Sequence, residues 1–182
     1  MHTHLVLLSG INVSGHNMIK MDALKKALDN NGYQNVITYI QSGNVFLTTD
    51  EEDAATVSFK VKQLIFTAFG FDVPCIIITK NNLEACFNNN LFFKEQNADT
   101  KQLYVAFVSK NLNTNAINDL KMSSVKPDLA QVDGAQIYLK YISGAGKTKL
   151  DQRYIKKKLN TAVTIRNWNT ITKLLEMYNE YN

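Results

Sequence analysis

A chain of 182 residues is long enough to bury a real core, as one large domain or as two small ones packed together. Its 45% hydrophobic and 20% charged content is that of a globular protein and excludes a disordered one. No apolar run approaches the roughly 18 residues that cross a bilayer. The formal net charge of +4 is modest but uneven. Lys140 to Lys173 carries nine Lys or Arg against one acid, Asp151, while the acidic cluster Asp50-Glu51-Glu52-Asp53 lies in the first half. Such a positive stretch attracts phosphate, nucleic acid or carboxylates, unless Lys156-Lys157-Lys158 simply form a solvated helix face.

Thr3 to Leu8 reads as a buried strand, short and apolar and stopped by Ser9-Gly10. The N-terminus has no basic region of the kind that opens a signal peptide. The spacing of Met21, Leu24 and Leu28 predicts a helix from Met18 to Asn31, closed by Asn31-Gly32 because glycine accepts the left-handed conformation. Val36 to Ile40 and Val45 to Thr49 are β-branched and aromatic. Ser42-Gly43 between them suits a hairpin turn, with one long strand bulged at Gly43 as the competing reading. A second helix spans Glu51 to Phe69, with Val57, Val61, Leu64, Ile65 and Ala68 at helical spacing and an acidic start that suits the helix dipole. Val73 to Thr79 is the fourth strand, with Pro74 near its beginning, where a missing N–H is tolerated. The order is β-α-β-β-α-β, the ferredoxin-like order.

A bridging segment, residues 81–100, holds a short helix around Leu83 to Phe87 and asparagine-rich loops. The order then recurs: a strand over Gln102 to Ser109, a helix over Asn113 to Met122, and a hairpin of Leu129–Val132 and Gln136–Tyr141 about Asp133-Gly134. A helix over Thr148 to Leu159, a strand over Ala162 to Ile165 and a closing helix over Asn167 to Tyr178 complete the chain. The expected fold is therefore α+β: a first ferredoxin-like half in residues 1–80 and a second in 101–182 with a C-terminal helix, packed as one compact unit. The repeat is one of element order, since no residues recur between the halves.

Gly144-Ala145-Gly146-Lys147-Thr148 resembles the end of a phosphate-binding loop. A Walker loop needs glycine five residues before Gly146, where Tyr141 stands, so no NTPase is implied. What remains is an anion site of backbone N–H groups, a helix N-terminus and Lys147, or a turn with Thr148 as the helix cap. In Arg166-Asn167-Trp168-Asn169-Thr170, an asparagine can cap the last helix and Trp168 can seal its end. Alternatively, Arg166 serves a pocket as a bidentate ligand for carboxylate or phosphate. Ser9-Gly10-Ile11-Asn12-Val13-Ser14-Gly15 and Gln41-Ser42-Gly43-Asn44 offer amides and small residues, good for a ligand and equally good for turns. Cys75 reads as inert core. His2 and His4 share one strand face, His16 has no sequence-local partner, and no zinc-type Cys/His spacing exists. No nucleophile and base stand together, so no reaction is assigned. No cofactor is evident. Two cysteines make a poor disulfide framework, and the expected location is the cytoplasm.

Taken together, Leu7-Leu8-Ser9-Gly10-Ile11-Asn12-Val13, Met21-x-x-Leu24, Gly32-Tyr33, Thr38-Tyr39-Ile40-Gln41-Ser42-Gly43-Asn44-Val45-Phe46 and Thr164-x-Arg166-Asn167-Trp168-Asn169-Thr170 resemble the bacterial family called domain of unknown function 1697, in order and over essentially the whole chain. Family members usually carry arginine where this chain has Ser9 and a second glycine where it has Ser14. If that arginine serves a ligand, the contact is lost or changed here. The resemblance implies a compact α+β protein with ferredoxin-like halves, and no activity, substrate or cofactor.

The leading functional expectation is a binding protein for a small anionic or phosphorylated ligand. Its site residues are Ser9, Asn12, Gln41, Ser42 and Asn44, with Lys147, Arg166 and Asn167 supplying charge and polarity. Single-stranded nucleic acid is the alternative partner, stacked on Tyr39, Tyr138 and Tyr141, although no RNP1-like run is present. An enzyme using the cleft expected between the loops after the first strand, at the central turn and before the last helix, through Ser42, Lys147 or a bound water, is a third reading. A scaffold that pairs its sheets with a partner or with itself is a fourth.

Overall fold

The structure, a computed structural model, describes residues 1–13, 15–112 and 115–181. The chain divides into two compact units, Met1–Thr79 and Lys80–Tyr181. Among the described residues there are six α-helices and two four-stranded antiparallel sheets. No helix is long and apolar enough to cross a membrane.

In the first unit β1 (His2–Leu8), α1 (Met21–Asp29), β2 (Gln34–Tyr39), β3 (Asn44–Thr49), α2 (Ala54–Phe69) and β4 (Cys75–Ile78) follow one another. The sheet order is β2-β3-β1-β4. Alternation along the strands sends Val6, Leu8, Val45 and Leu47 to one face. There they meet Leu24 and Leu28 of α1 and Val57, Val61 and Ile65 of α2 in a single core. Strands β2 and β3 pair antiparallel, so the hairpin is the correct reading of residues 36–48. The one register shift lies between Gln34 and Ile37, not at Gly43.

Helix boundaries differ from the periodic pattern where side chains intervene. α1 starts at Met21, three residues later than its apolar spacing suggests. The cause is Asn12: its Oδ1 accepts the Ile19 N–H at 2.8 Å, and Lys20 stays extended. α1 closes as expected near Gly32 (φ 86°), with the Tyr33 N–H on the Leu28 carbonyl. α2 begins after Asp53 because that carboxylate accepts the Thr56 N–H at 2.7 Å, the usual capping bond. Ala68, one of the residues at helical spacing, is exposed.

The second unit opens with α3 (Lys80–Asn89). It continues through β5 (Leu103–Val108), α4 (Ala116–Asp119), β6 (Leu129–Asp133), β7 (Gln136–Lys140), α5 (Gln152–Leu159), β8 (Val163–Asn167) and α6 (Trp168–Tyr181). Its sheet order is β6-β7-β5-β8, and β-α-β-β-α-β recurs from β5 to β8. The expected helix over 113–122 is a correction. Its first two residues lie outside the described ones, α4 is a single turn, and Lys121 at φ 47° ends it before a 3₁₀ turn at Met122–Ser124.

The expected helix over 148–159 is a second correction. α5 begins at Gln152, capped by Asp151 through the Tyr154 N–H at 2.7 Å. Thr148 turns instead to the buried carboxylate of Asp128, which also accepts the Ile142 N–H at 2.9 Å. The loop after β7 is thus folded onto Asp128 and enters α5 only at Gln152.

Candidate functional site

Five of the eight residues singled out from the sequence gather at one end of the first sheet. The centre of the arrangement is Asn12, itself left-handed at φ 53°. Its Nδ2 donates to the carbonyls of Ile19 at 2.9 Å and Gln41 at 2.8 Å. One side chain therefore ties the loop after β1 to both the approach to α1 and the β2–β3 turn. In that turn Asn44, fully buried, donates to the Tyr39 carbonyl and to Ser42 Oγ, each at 3.0 Å. Ser9 is buried, and its N–H bonds the Pro74 carbonyl. The Leu8 N–H bonds the Gly43 carbonyl at 2.8 Å, which fastens the turn to β1. Ile40 holds φ 49°, a strained conformation for a β-branched residue.

Beside these loops the α1 N-terminus has no side-chain cap. It opens on a cavity of about 200 Å³ lined by Lys20, Met21, Asp22 and Gln41. The first N–H groups of a helix lack intrahelical partners and carry its positive end, so the cavity meets amide donors and a lysine. Lys20 and the α1 terminus escaped sequence reasoning. The signal was there in negative form: Lys20 occupies the position where Ser, Thr, Asp or Asn ordinarily caps a helix.

The other three predicted residues belong to the second unit. Lys147 is exposed in a tight turn, its N–H on the Gly144 carbonyl, and it is not at a helix N-terminus. Arg166 is turned inward at 6% exposure. Its Nη1 donates to Thr164 Oγ1 at 2.7 Å and to the Ile165 carbonyl at 3.0 Å. Burial pulls its guanidinium down to about 10, because desolvation penalises the charged form. Asn167 is exposed, and its Oδ1 accepts the Thr170 N–H at 2.8 Å, which makes it the cap of α6. Trp168 packs against Phe87 and Phe93, the sealing role expected of it.

The tyrosines proposed for base stacking are not available as a set. Tyr138 is fully buried and Tyr141 is 2% exposed. The Tyr138 hydroxyl lies in a network with Gln136 Oε1 at 2.8 Å, Asp133 Oδ2 at 3.0 Å and the Ala85 carbonyl. The Tyr141 hydroxyl donates to the Leu150 carbonyl. Burial raises both phenols. Cys75 and Cys86 are free and buried, and burial pushes both thiols up to about 12, the condition of an unreactive thiol. His4 Nε2 lies 2.8 Å from the Glu51 carbonyl. Among the described residues no group of three His, Cys, Asp or Glu is placed to hold a metal ion.

A family model described as "Protein of unknown function (DUF1697)" matches residues 1–138. The chain belongs to that family. The DUF1697 match covers all of the first unit and the second through most of β7. Among solved structures, that of a conserved bacterial protein from Streptococcus pneumoniae superposes on this DUF1697 protein with a TM-score of 0.70 and 23% identity. It covers 96% of this chain and 97% of that one, a likeness of fold. No curated protein matches the sequence.

Proposed function

We propose that this DUF1697 protein binds a small anionic ligand, through a carboxylate or phosphate group, at the N-terminus of α1. The observation that carries the reading is the double bond-making of Asn12 Nδ2. It makes two polar segments distant in sequence into one structured rim around an uncapped helix end, with Lys20 and Gln41 beside it. Asp22 lines the same cavity and repels excess negative charge, so a single anionic group is the fitting ligand. Ser9, Ser42 and Asn44 then support the rim from behind, while Lys147, Arg166 and Asn167 belong to other structures. No reaction is assigned.

The test is a thermal-shift screen of phosphorylated and carboxylate metabolites against wild type, Lys20→Ala and Gln41→Ala. A ligand at about 100 times its Kd stabilises the fold by about 2.7 kcal/mol, and the shift is expected to vanish in Lys20→Ala. Equal shifts in wild type and Lys20→Ala would remove the basis for the site.

Nucleic acid is a second reading with one observation in its favour. Arg153, Lys156 and Lys157 line a shallow depression of about 590 Å³ at the end of α5. Salt-sensitive binding of single-stranded RNA that Lys156→Glu/Lys157→Glu abolishes supports it; no binding at low salt ends it. The element order and the 2-3-1-4 arrangement of the first sheet, repeated as 6-7-5-8 in the second, support reading each unit as ferredoxin-like. The two free cysteines support residence in a reducing compartment such as the cytoplasm.

A further inference from the structure

The second sheet ends at β6, one of its two edge strands. Strand β6 pairs with β7 in the register Leu129↔Lys140 to Asp133↔Gln136, closed by the two-residue turn Gly134-Ala135. In such a hairpin the closing pair is hydrogen-bonded and the pairs alternate from there. Asp133, Gln131 and Leu129 therefore direct their backbone groups at β7, and Ala130 and Val132 direct theirs at the outer edge of the sheet. The β5–β7 ladder fixes the same phase independently: the Val108 N–H bonds the Ala135 carbonyl and the Tyr141 N–H bonds the Gln102 carbonyl. That leaves Ile137 and Leu139 bonded to β5 and Gln136, Tyr138 and Lys140 facing β6.

A groove of about 640 Å³ lies along this edge, and Ala130 through Gly134 all line it. Successive residues of a strand point to opposite faces, so a cavity lined by consecutive ones faces the backbone edge itself. One wall is Leu112 and Ile117, on the face where Ala130 and Val132 join the core. The other is Leu91 and Phe92, on the face of Gln131, whose Oε1 accepts the Leu91 N–H at 3.1 Å. Among the described residues lining the groove, Asp133 is the one ionisable group. Open edges are normally blunted by charge, proline or bulges. In the first sheet the β2 edge carries a register shift, and β4 is four residues long after Pro74. β6 has neither proline nor lysine within Leu129–Asp133.

We propose that β6 is a strand-addition site that takes an extended basic–apolar peptide, paired antiparallel along Ala130–Asp133. The backbone of Ala130 and Val132 supplies two N–H donors and two carbonyl acceptors to the added strand. Residues directly opposite one another share a face, and this sets the pattern. A Lys or Arg lies opposite Asp133, with an apolar residue next opposite Val132 against Leu112 and Ile117. A second apolar residue follows opposite Gln131, against Leu91 and Phe92. Charge complementarity with Asp133 fixes the register, and four residues at about 3.4 Å each give a bound segment of about 14 Å.

The experiment is selection from a phage-displayed library of random linear heptapeptides on the full chain, followed by affinity measurement with the synthetic peptides selected. Enrichment of a basic residue followed by two apolar ones is expected. Loss of roughly tenfold in affinity is expected when the peptide amide opposite Val132 is N-methylated, and again in Leu91→Glu. Leu91 is 61% exposed, so that variant keeps the fold. Ala130→Pro removes an outward N–H and no ladder bond; N-methylation gives the same information should that variant not fold. No enrichment, or binding indifferent to N-methylation and to Leu91→Glu, overturns the proposal. So does a dimer in sedimentation velocity that Leu91→Glu dissolves, which would give the edge to a second copy of the chain.

Discussion

Gly43→Ala tests how tightly the β2–β3 turn is seated on β1. Gly43 sits at φ 77°, and a Cβ there would lie 2.6 Å from Leu8 Cβ and 2.8 Å from Ile11 Cδ1. The left-handed backbone alone costs an L-residue about 1–2 kcal/mol. The overlap adds roughly 1–3 kcal/mol, the usual range for overpacking. Relief is restricted on every side: Leu8 and Ile11 are at most 2% exposed, and the Gly43 carbonyl is bonded to the Leu8 N–H. A loss of about 3 kcal/mol follows. Gly32→Ala is the control, because Gly32 has φ 86° and nothing within 4 Å of the added carbon. It should lose only about 1 kcal/mol. Urea unfolding followed by circular dichroism reads both. If Gly43→Ala is no more damaging than Gly32→Ala, the seating of the turn is looser than the distances require, and the steric reasoning fails.

Asn12→Ala removes three hydrogen bonds and should cost about 2 kcal/mol. Faster hydrogen exchange at the Ile19 amide is the direct readout, and unchanged exchange there contradicts the anchoring role. Asp128→Ala strips the acceptor from the Ile142 N–H and the Thr148 hydroxyl, at about 3 kcal/mol for a buried charged acceptor. Trypsin cleavage after Lys147 and Lys149 should accelerate, whereas an unchanged digestion rate argues that the loop holds without it. Alkaline pH should destabilise the protein through its thiols. Cys75 and Cys86 have folded values raised from 9.0 to about 12, so the folded state keeps protons that the unfolded state releases. Stability is full below pH 9 and falls as the pH rises to about 12. At pH 10.5 this amounts to about 2 kcal/mol per thiol. The raised Tyr138 and Tyr141 add to the loss above pH 10. Arg166, lowered to about 10, opposes it between about pH 10 and 12.5. The urea midpoint at pH 8 and 10.5 should drop less in Cys75→Ala and Cys86→Ala, and an unchanged slope would refute the thiol contribution.

The element order was written in the chain because each element carries a local signal. Met21, Leu24 and Leu28 announce a helix by their spacing, and Asp133-Gly134 announces a hairpin by its turn chemistry. The candidate rim was partly legible for the same reason: Asn12 and Gln41 stand in segments too polar and glycine-rich to be strand. Their meeting was not legible, since nothing local says that an amide at position 12 bonds a carbonyl at 41.

Tertiary context decided the rest, chiefly by claiming polar groups that a linear reading leaves free. Thr148 looked like a cap until Asp128, twenty residues earlier in sequence, took its hydroxyl, and Asp151 became the cap instead. Arg166 looked like a ligand for carboxylate or phosphate until burial turned it inward. Tyr138 and Tyr141 looked like stacking surfaces, and packing closed them. Whether a strand has an open edge is likewise a property of the sheet, because it depends on which strand lies beside it. The residues of β6 alone foretell neither the groove nor the direction of the Ala130 and Val132 amides. Sequence determined the elements and their order through short-range periodicity and turn chemistry. Only the fold decided which polar groups are used up and which are left to meet a partner, because that accounting runs over contacts between residues far apart in the chain.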